Sequence, residues 1–118
     1  VAFVPDLGSI GDLKTAPVVS PAEVFPTGVN VEFVTKITDD HVAMRVHERG
    51  SGETLSCGTG ACAVAAVVRE QSGQKINSIQ IDLPGGTLQI TFIDGKMIMR
   101  GPAVLEETGT LPESWFTN

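Results

Sequence analysis

Cys57 heads the run Cys57-Gly58-Thr59-Gly60-Ala61-Cys62-Ala63-Val64-Ala65-Ala66-Val67-Val68, a glycine-punctuated turn that leads straight into an apolar segment. The spacing predicts a helix over about 58–71, ending before Ser72-Gly73. Aligned peptide dipoles place roughly half a positive charge at such an N-terminus, and unpaired backbone N–H groups point outward from it. Both favour a thiolate at Cys57, and the same amides can bind an anion beside the sulfur. A thiolate and a carboxylate or phosphate held together in this way suit acid–base or nucleophilic work on a carboxylate substrate. The competing reading is a buried cysteine that serves as a small hydrophobe; the Gly-Thr-Gly turn and the polar stretch before it favour access. Cys62, inside the apolar run, reads as core packing.

Three further residues have suitable chemistry. Arg49 can grip a carboxylate with its guanidinium fork, and Glu48 can accept from an ammonium, so the pair could hold a zwitterionic amino-acid head. An exposed ion pair on a loop is the plainer alternative. Asn30 offers donor and acceptor together, on what reads as the polar side of a strand. His41 and His47 fall on the outward side of their strand and read as solvated.

The positioning elements are legible in outline. Residues 1–5 read as a strand already under way, with no initiator methionine, which suggests a piece of something longer. A polar connection over 6–17 follows, then a short helical turn at Ser20-Pro21-Ala22-Glu23, with Ser20 as N-cap, Pro21 in the first helical position and Glu23 completing a capping box. Residues 29–37 alternate: Val29, Val31, Phe33, Thr35 and Ile37 on one face, Asn30, Glu32, Val34 and Lys36 on the other. With Val42, Met44 and Val46 across the turn at Thr38-Asp39-Asp40, this reads as a β-hairpin. Residues 48–56 read as a polar loop able to wrap a ligand.

Beyond the helix, Ile79, Ile81 and Leu83 alternate with polar neighbours, as do Leu88, Ile90 and Phe92, and Asp94-Gly95 is a hairpin signal before a last strand over 96–100. Residues 110–118 lack periodicity. The helix has no polar stripe from Ala61 to Val68 and four alanines within that stretch, so a sheet should surround it on most sides. The fold class is α+β: a curved, mostly antiparallel sheet wrapped around a central apolar helix.

At 118 residues the chain is one domain. A net charge of −6 without a Lys/Arg cluster argues against a nucleic-acid partner. The longest apolar run is too short to span a membrane, and there is no signal peptide. The two cysteines lie five positions apart in one helix, about 7.5 Å along its axis and about 140° around it, poor geometry for a disulfide. Free thiols point to a reducing, cytoplasmic setting. No metal-ligand spacing is present, which speaks against a zinc site. A peroxide or redox sensor built on Cys57 is disfavoured by the lack of a well-placed resolving cysteine.

At Glu48-Arg49-Gly50-Ser51-Gly52-Glu53-Thr54-Leu55-Ser56-Cys57-Gly58-Thr59-Gly60-Ala61-Cys62-Ala63 the chain resembles the diaminopimelate epimerase family. The likeness extends to Val29-Asn30-Val31 and to Gly101-Pro102-Ala103. Proline racemase-like and phenazine-biosynthesis-like proteins share the fold but resemble the chain mainly around the CGTG turn, so the ERGSGET portion favours the epimerase.

The resemblance implies a cofactor-independent, PLP-independent isomerase that interconverts LL- and meso-diaminopimelate, a step toward lysine and peptidoglycan precursors. It implies two similar domains with the substrate between them and two cysteines, one at the head of each central helix, acting as thiolate base and thiol acid. On this chain Cys57 would be one of that pair. The amides of Gly58 and Thr59 would bind the reacting carboxylate. Glu48, Arg49 and Asn30 would recognise the distal amino-acid centre, and Glu48 would also influence the thiol.

Cys62, inside the same helix, is no partner for Cys57 across a substrate carbon. Residues 1–118 therefore read as the C-terminal domain of a two-domain epimerase, inactive without the N-terminal domain. A homodimer is compatible with this reading, and the alternatives are an isolated non-catalytic domain that binds an anion or amino acid, or a related proline racemase-like enzyme.

Overall fold

The computed structural model describes residues 1–116. Strand β1 (Ala2–Phe3) opens the chain; β2 (Val31–Lys36), β3 (His41–Glu48) and β4 (Gly52–Thr54) precede the helix α1 (Gly58–Gln71), and β5 (Ser78–Leu83), β6 (Gly86–Ile93) and β7 (Lys96–Arg100) follow it. All seven strands join one mixed sheet in the order β1-β2-β3-β5-β6-β7, with β4 paired to β3. Only β1–β2 and β3–β5 run parallel. Asp94 and Gly95 both take positive φ, 49° and 74°, which a tight hairpin turn between β6 and β7 requires.

Alternation decides which side chains meet the helix. Val42, Met44 and Val46 of β3, Ile79 and Ile81 of β5, and Ile90 of β6 pack against Ala61, Val64, Ala65 and Val68. Fully burying each aliphatic side chain contributes about 1.5–3 kcal/mol. The helix touches β2, β5, β6 and β7, so the sheet curls about it. The helix is less enclosed than its composition suggests: Thr59, Ala63, Ala66 and Glu70 form an exposed stripe. Alanine propagates a helix without needing burial, so an alanine-rich run hides this open side.

Strand β2 turns the opposite way from the expected one. Glu32 and Val34 face inward and are buried, while Val31, Phe33 and Thr35 are half-buried on the outer face. That outer face is partly covered because a 3₁₀ turn at Leu7–Ile10 packs over β2 and β3. The connection over 6–17 is thus ordered: Asp6 accepts from the Gly8 amide at 2.9 Å, and Leu13 is buried. The turn after Ser20 forms at Ala22–Val24, with Pro21 extended at the cap and no side-chain cap bond. A single 3₁₀ turn is too short to set up the expected reciprocal box.

After β7 the chain leaves the sheet, with one 3₁₀ turn at Glu113–Trp115. Of the aperiodic tail, Thr117 and Asn118 lie outside the described residues.

Candidate functional site

The segment 48–54 is a hairpin rather than a loop. Glu48 pairs with Gly52 and His47 with Glu53, and the turn between β3 and β4 uses Gly50 and Gly52 at φ +83° and +80°. The two glutamates of ERGSGET consequently part company. Glu48 accepts from the Thr54 hydroxyl at 2.8 Å. Glu53 is gripped by Arg45, whose other guanidinium N–H groups reach the carbonyls of Leu7 and Gly11, each at 2.9 Å. The Arg45 hydrogen bond holds the Glu53 carboxyl below the usual carboxylate range against the opposing effect of burial.

Cys57 is the N-cap of α1: its backbone is extended, and its Sγ accepts from the Gly60 amide at 3.3 Å. Thr59 Oγ1 lies 3.5 Å from the same sulfur. The residue is 7% exposed, so the expectation of ready access is only partly met. The sulfur sits at the edge of a wide concavity lined by Glu48, Ser56, Cys57, Gly58, Thr59, Cys62 and Met99. Both cysteines are free thiols, and Cys62 is half-buried beside this hollow.

A second hollow of about 430 Å³ is lined by Gly28, Val29, Asn30, Glu32, Arg49, Thr59, Gly60 and Ala63. Thr59 belongs to both, so the two form one continuous surface. Asn30 Oδ1 accepts from the Arg49 amide at 2.8 Å, and the Arg49 guanidinium leans on Thr27 Oγ1 at 3.3 Å. The structure therefore gathers Glu48, Cys57 and Gly58 on one side of Thr59, and Asn30 and Arg49 on the other. Glu48 is not with Arg49, because β3 ends at Glu48 and the chain turns at Arg49-Gly50.

Neither histidine is solvated as expected. His47 is buried, with Nδ1 donating to the Leu13 carbonyl at 2.7 Å, because the 6–17 segment covers the outer face of β3. His41 is half-buried, its Nε2 2.6 Å from Asp82 Oδ2. Burial works against the charge of Asp82, yet hydrogen bonds from His41, Gln80 and Thr87 outweigh it and leave the carboxyl below its usual range.

Sequence reading missed two lining residues. Met99 closes over Gly58, where a Cβ would stand 3.1 Å from its Cε. Glu32, on the face of β2 that reads as polar, also lines the hollow; the signal was its place two residues after Asn30, on the same side of the strand.

Among the described residues there is no group of His, Cys, Asp or Glu fit to hold a metal, and no helix long and apolar enough to cross a membrane. The fold and the site define an α+β domain that presents a thiol at the head of its helix, beside the Gly58-Thr59-Gly60 turn. Residues 1–106 match the model of the family described as diaminopimelate epimerase. Diaminopimelate epimerase of Streptomyces coelicolor is 51% identical, covering 98% of this chain and 43% of the relative. Those of Mycolicibacterium vanbaalenii and Rhodococcus erythropolis are each 46% identical, covering 86% and 89% of this chain and 35% and 36% of theirs. A Bacillus anthracis phenazine biosynthesis protein of the PhzF family is similar with a TM-score of 0.45 and 22% identity, over 69% of this chain and 30% of its own. The chain belongs to the diaminopimelate epimerase family. It spans less than half the length of the curated relatives.

Proposed function

We propose that residues 1–118 form the C-terminal domain of a two-domain, cofactor-independent epimerase that interconverts LL- and meso-diaminopimelate in the cytoplasm. The observation that carries this reading is the continuous surface on which Glu48, Cys57, Gly58 and Thr59 meet, at Thr59, the hollow of Asn30 and Arg49.

The amides of Gly58 and Thr59 bind the reacting α-carboxylate and stabilise the charge that collects on it as the Cα–H bond breaks. Cys57 and a thiol of the other domain stand on opposite faces of that carbon. One, as thiolate, takes the α-proton; the other, as thiol, delivers a proton to the opposite face. Inversion leaves the thiol and thiolate roles exchanged. Glu48, anchored by Thr54, flanks the thiol, while Asn30 and Arg49 hold the distal head of the substrate. The chain alone, with its single helix-head thiol, binds without epimerising.

The test is α-proton exchange of diaminopimelate in heavy water, followed by NMR with this chain alone and mixed with a separately made N-terminal domain. Exchange only in the mixture is expected. No exchange in either sample, with association of the halves demonstrated, overturns the reading and leaves a non-catalytic binding domain.

A further inference from the structure

Strand β7 covers the first turn of α1 from one side. Met99 pairs with Ile90 of β6 and so points to the same side of the sheet, the side that holds the helix. Ile90 is fully buried in the core, whereas Met99, on the edge strand, reaches the helix head. A Cβ on Gly58 would stand 3.1 Å from Met99 Cε and 3.3 Å from its Sδ, so the tip of the methionine lies against the Gly58 backbone.

That contact accounts for the glycine. Gly58 is the first residue of α1 and has no positive φ, so its backbone conformation is open to other residues. Close approach of a neighbour is the remaining reason for a bare Cα. The neighbour rests on the peptide whose amide is proposed to receive the reacting carboxylate. Around the thiol hollow Glu48, Ser56 and Thr59 are polar, Cys57 and Cys62 carry thiols, and Met99 is the one large apolar wall among the described residues. An apolar wall beside amide donors keeps water from competing for them, and donors in a water-poor site stabilise developing charge more strongly. An unbranched thioether also fits itself closely to an irregular surface such as this turn.

We propose that Met99 is a positioning residue: its tip holds the Gly58 peptide in place and shields it from water, so that the Gly58 and Thr59 amides meet the charge that develops on the reacting carboxylate. The proposal rests on the epimerase reading. Because the carboxylate gains further charge only as the Cα–H bond breaks, loss of Met99 falls on kcat more than on KM.

The test uses the complete epimerase that contains this chain, with diaminopimelate as substrate. Met97 supplies the control: it stands two residues away on the same face of β7, is 45% exposed against 49% for Met99, and does not line the thiol hollow. Met99→Ala should lower kcat by about tenfold or more, the scale on which small displacements at a reacting centre act, with KM within about threefold of wild type. Met99→Leu, which keeps the apolar volume, should stay within about threefold of the wild-type kcat. Met97→Ala should leave both constants unchanged. Met99→Gln, similar in length with a polar tip, should be as slow as the alanine variant, and it carries the test if the alanine variant does not fold. Gly58→Ala should slow the wild type but slow Met99→Ala little further, since the tip it meets is then gone.

An unchanged kcat in Met99→Ala, an equal loss in Met97→Ala, no rescue by leucine, or losses at Gly58 and Met99 that multiply overturns the assignment of Met99. A wild-type enzyme that leaves diaminopimelate unchanged overturns the epimerase reading itself, and the proposal with it.

Discussion

Arg45 holds Glu53 with two parallel hydrogen bonds, Nε to Oε1 at 2.7 Å and Nη2 to Oε2 at 3.0 Å. The pair lies on the sheet face away from the thiol and joins β3, β4 and the 3₁₀ turn after β1. It stabilises the hairpin that brings Glu48 to the site without itself touching it. Replacing Arg45 with Met removes both bonds and those to the Leu7 and Gly11 carbonyls, and should lower stability by about 1–2 kcal/mol, read from urea unfolding.

The same pair sets a pH dependence. Because Glu53 is held below the usual carboxylate range in the folded chain, its contribution is complete above the unfolded value of about 4.3. It is lost as pH falls through the depressed native value. Wild-type stability should therefore drop more steeply below about pH 4.3 than that of Glu53→Gln. Parallel acid limbs in urea titrations of the two proteins would contradict this.

Gly85 meets the loop before Cys57 at close range. Its amide donates to the Leu55 carbonyl at 2.8 Å, and an added Cβ would stand 2.9 Å from that same oxygen. Since the obstacle is backbone, Gly85→Ala should cost about 1–3 kcal/mol. A denaturation midpoint equal to wild type would show that the loop yields freely.

Much of this architecture was legible because alternation and turn chemistry are local. The helix over 58–71, the β5–β6–β7 meander and the inward run Val42, Met44 and Val46 all follow from period and punctuation. The face of β2 was not legible. Its apolar residues Val31 and Phe33 point outward because a distant segment covers them, and Glu32 points inward against the first turn of the helix. His47 was missed for the same reason, since its partner is the Leu13 carbonyl, 34 positions away. The placement of Cys57, Gly58 and Thr59 at the head of the helix was legible because a helix N-terminus is a local device. The separation of Glu48 from Arg49 follows once residues 48–54 are recognised as a hairpin, with Glu48 the last residue of its strand and Arg49 in the turn.

Gly60 is the point at which stability and activity should separate. Alanine there would gain about 0.5–1 kcal/mol of backbone preference, but its Cβ would press on both Glu32 and Cys57 Sγ. In the complete epimerase, Gly60→Ala should keep a melting temperature near wild type while kcat/KM falls by about tenfold or more, as small misplacements of reacting groups produce. Unchanged kinetics would mean that the sulfur tolerates displacement.

Cys57 and Cys62 allow burial and hydrogen bonding to be weighed against each other. Cys62 is the more exposed of the two, so access alone makes it react first. Cys57, however, receives the Gly60 N–H and has the Thr59 hydroxyl beside it, at the end of a helix that attracts anions. The thiolate is the reactive form of a cysteine. Cys57 should be alkylated ahead of Cys62, and its lead should be larger with iodoacetate than with neutral iodoacetamide, because the reagent's carboxylate is drawn to the Gly58 and Thr59 amides. Peptide mapping after partial alkylation reads both rates. If Cys62 leads with both reagents, exposure governs and the helix-head effect at Cys57 is too weak to matter. If Cys57 leads equally with both, the helix head activates the sulfur but the amides do not recruit a carboxylate, which removes the proposed binding site for the substrate's reacting end.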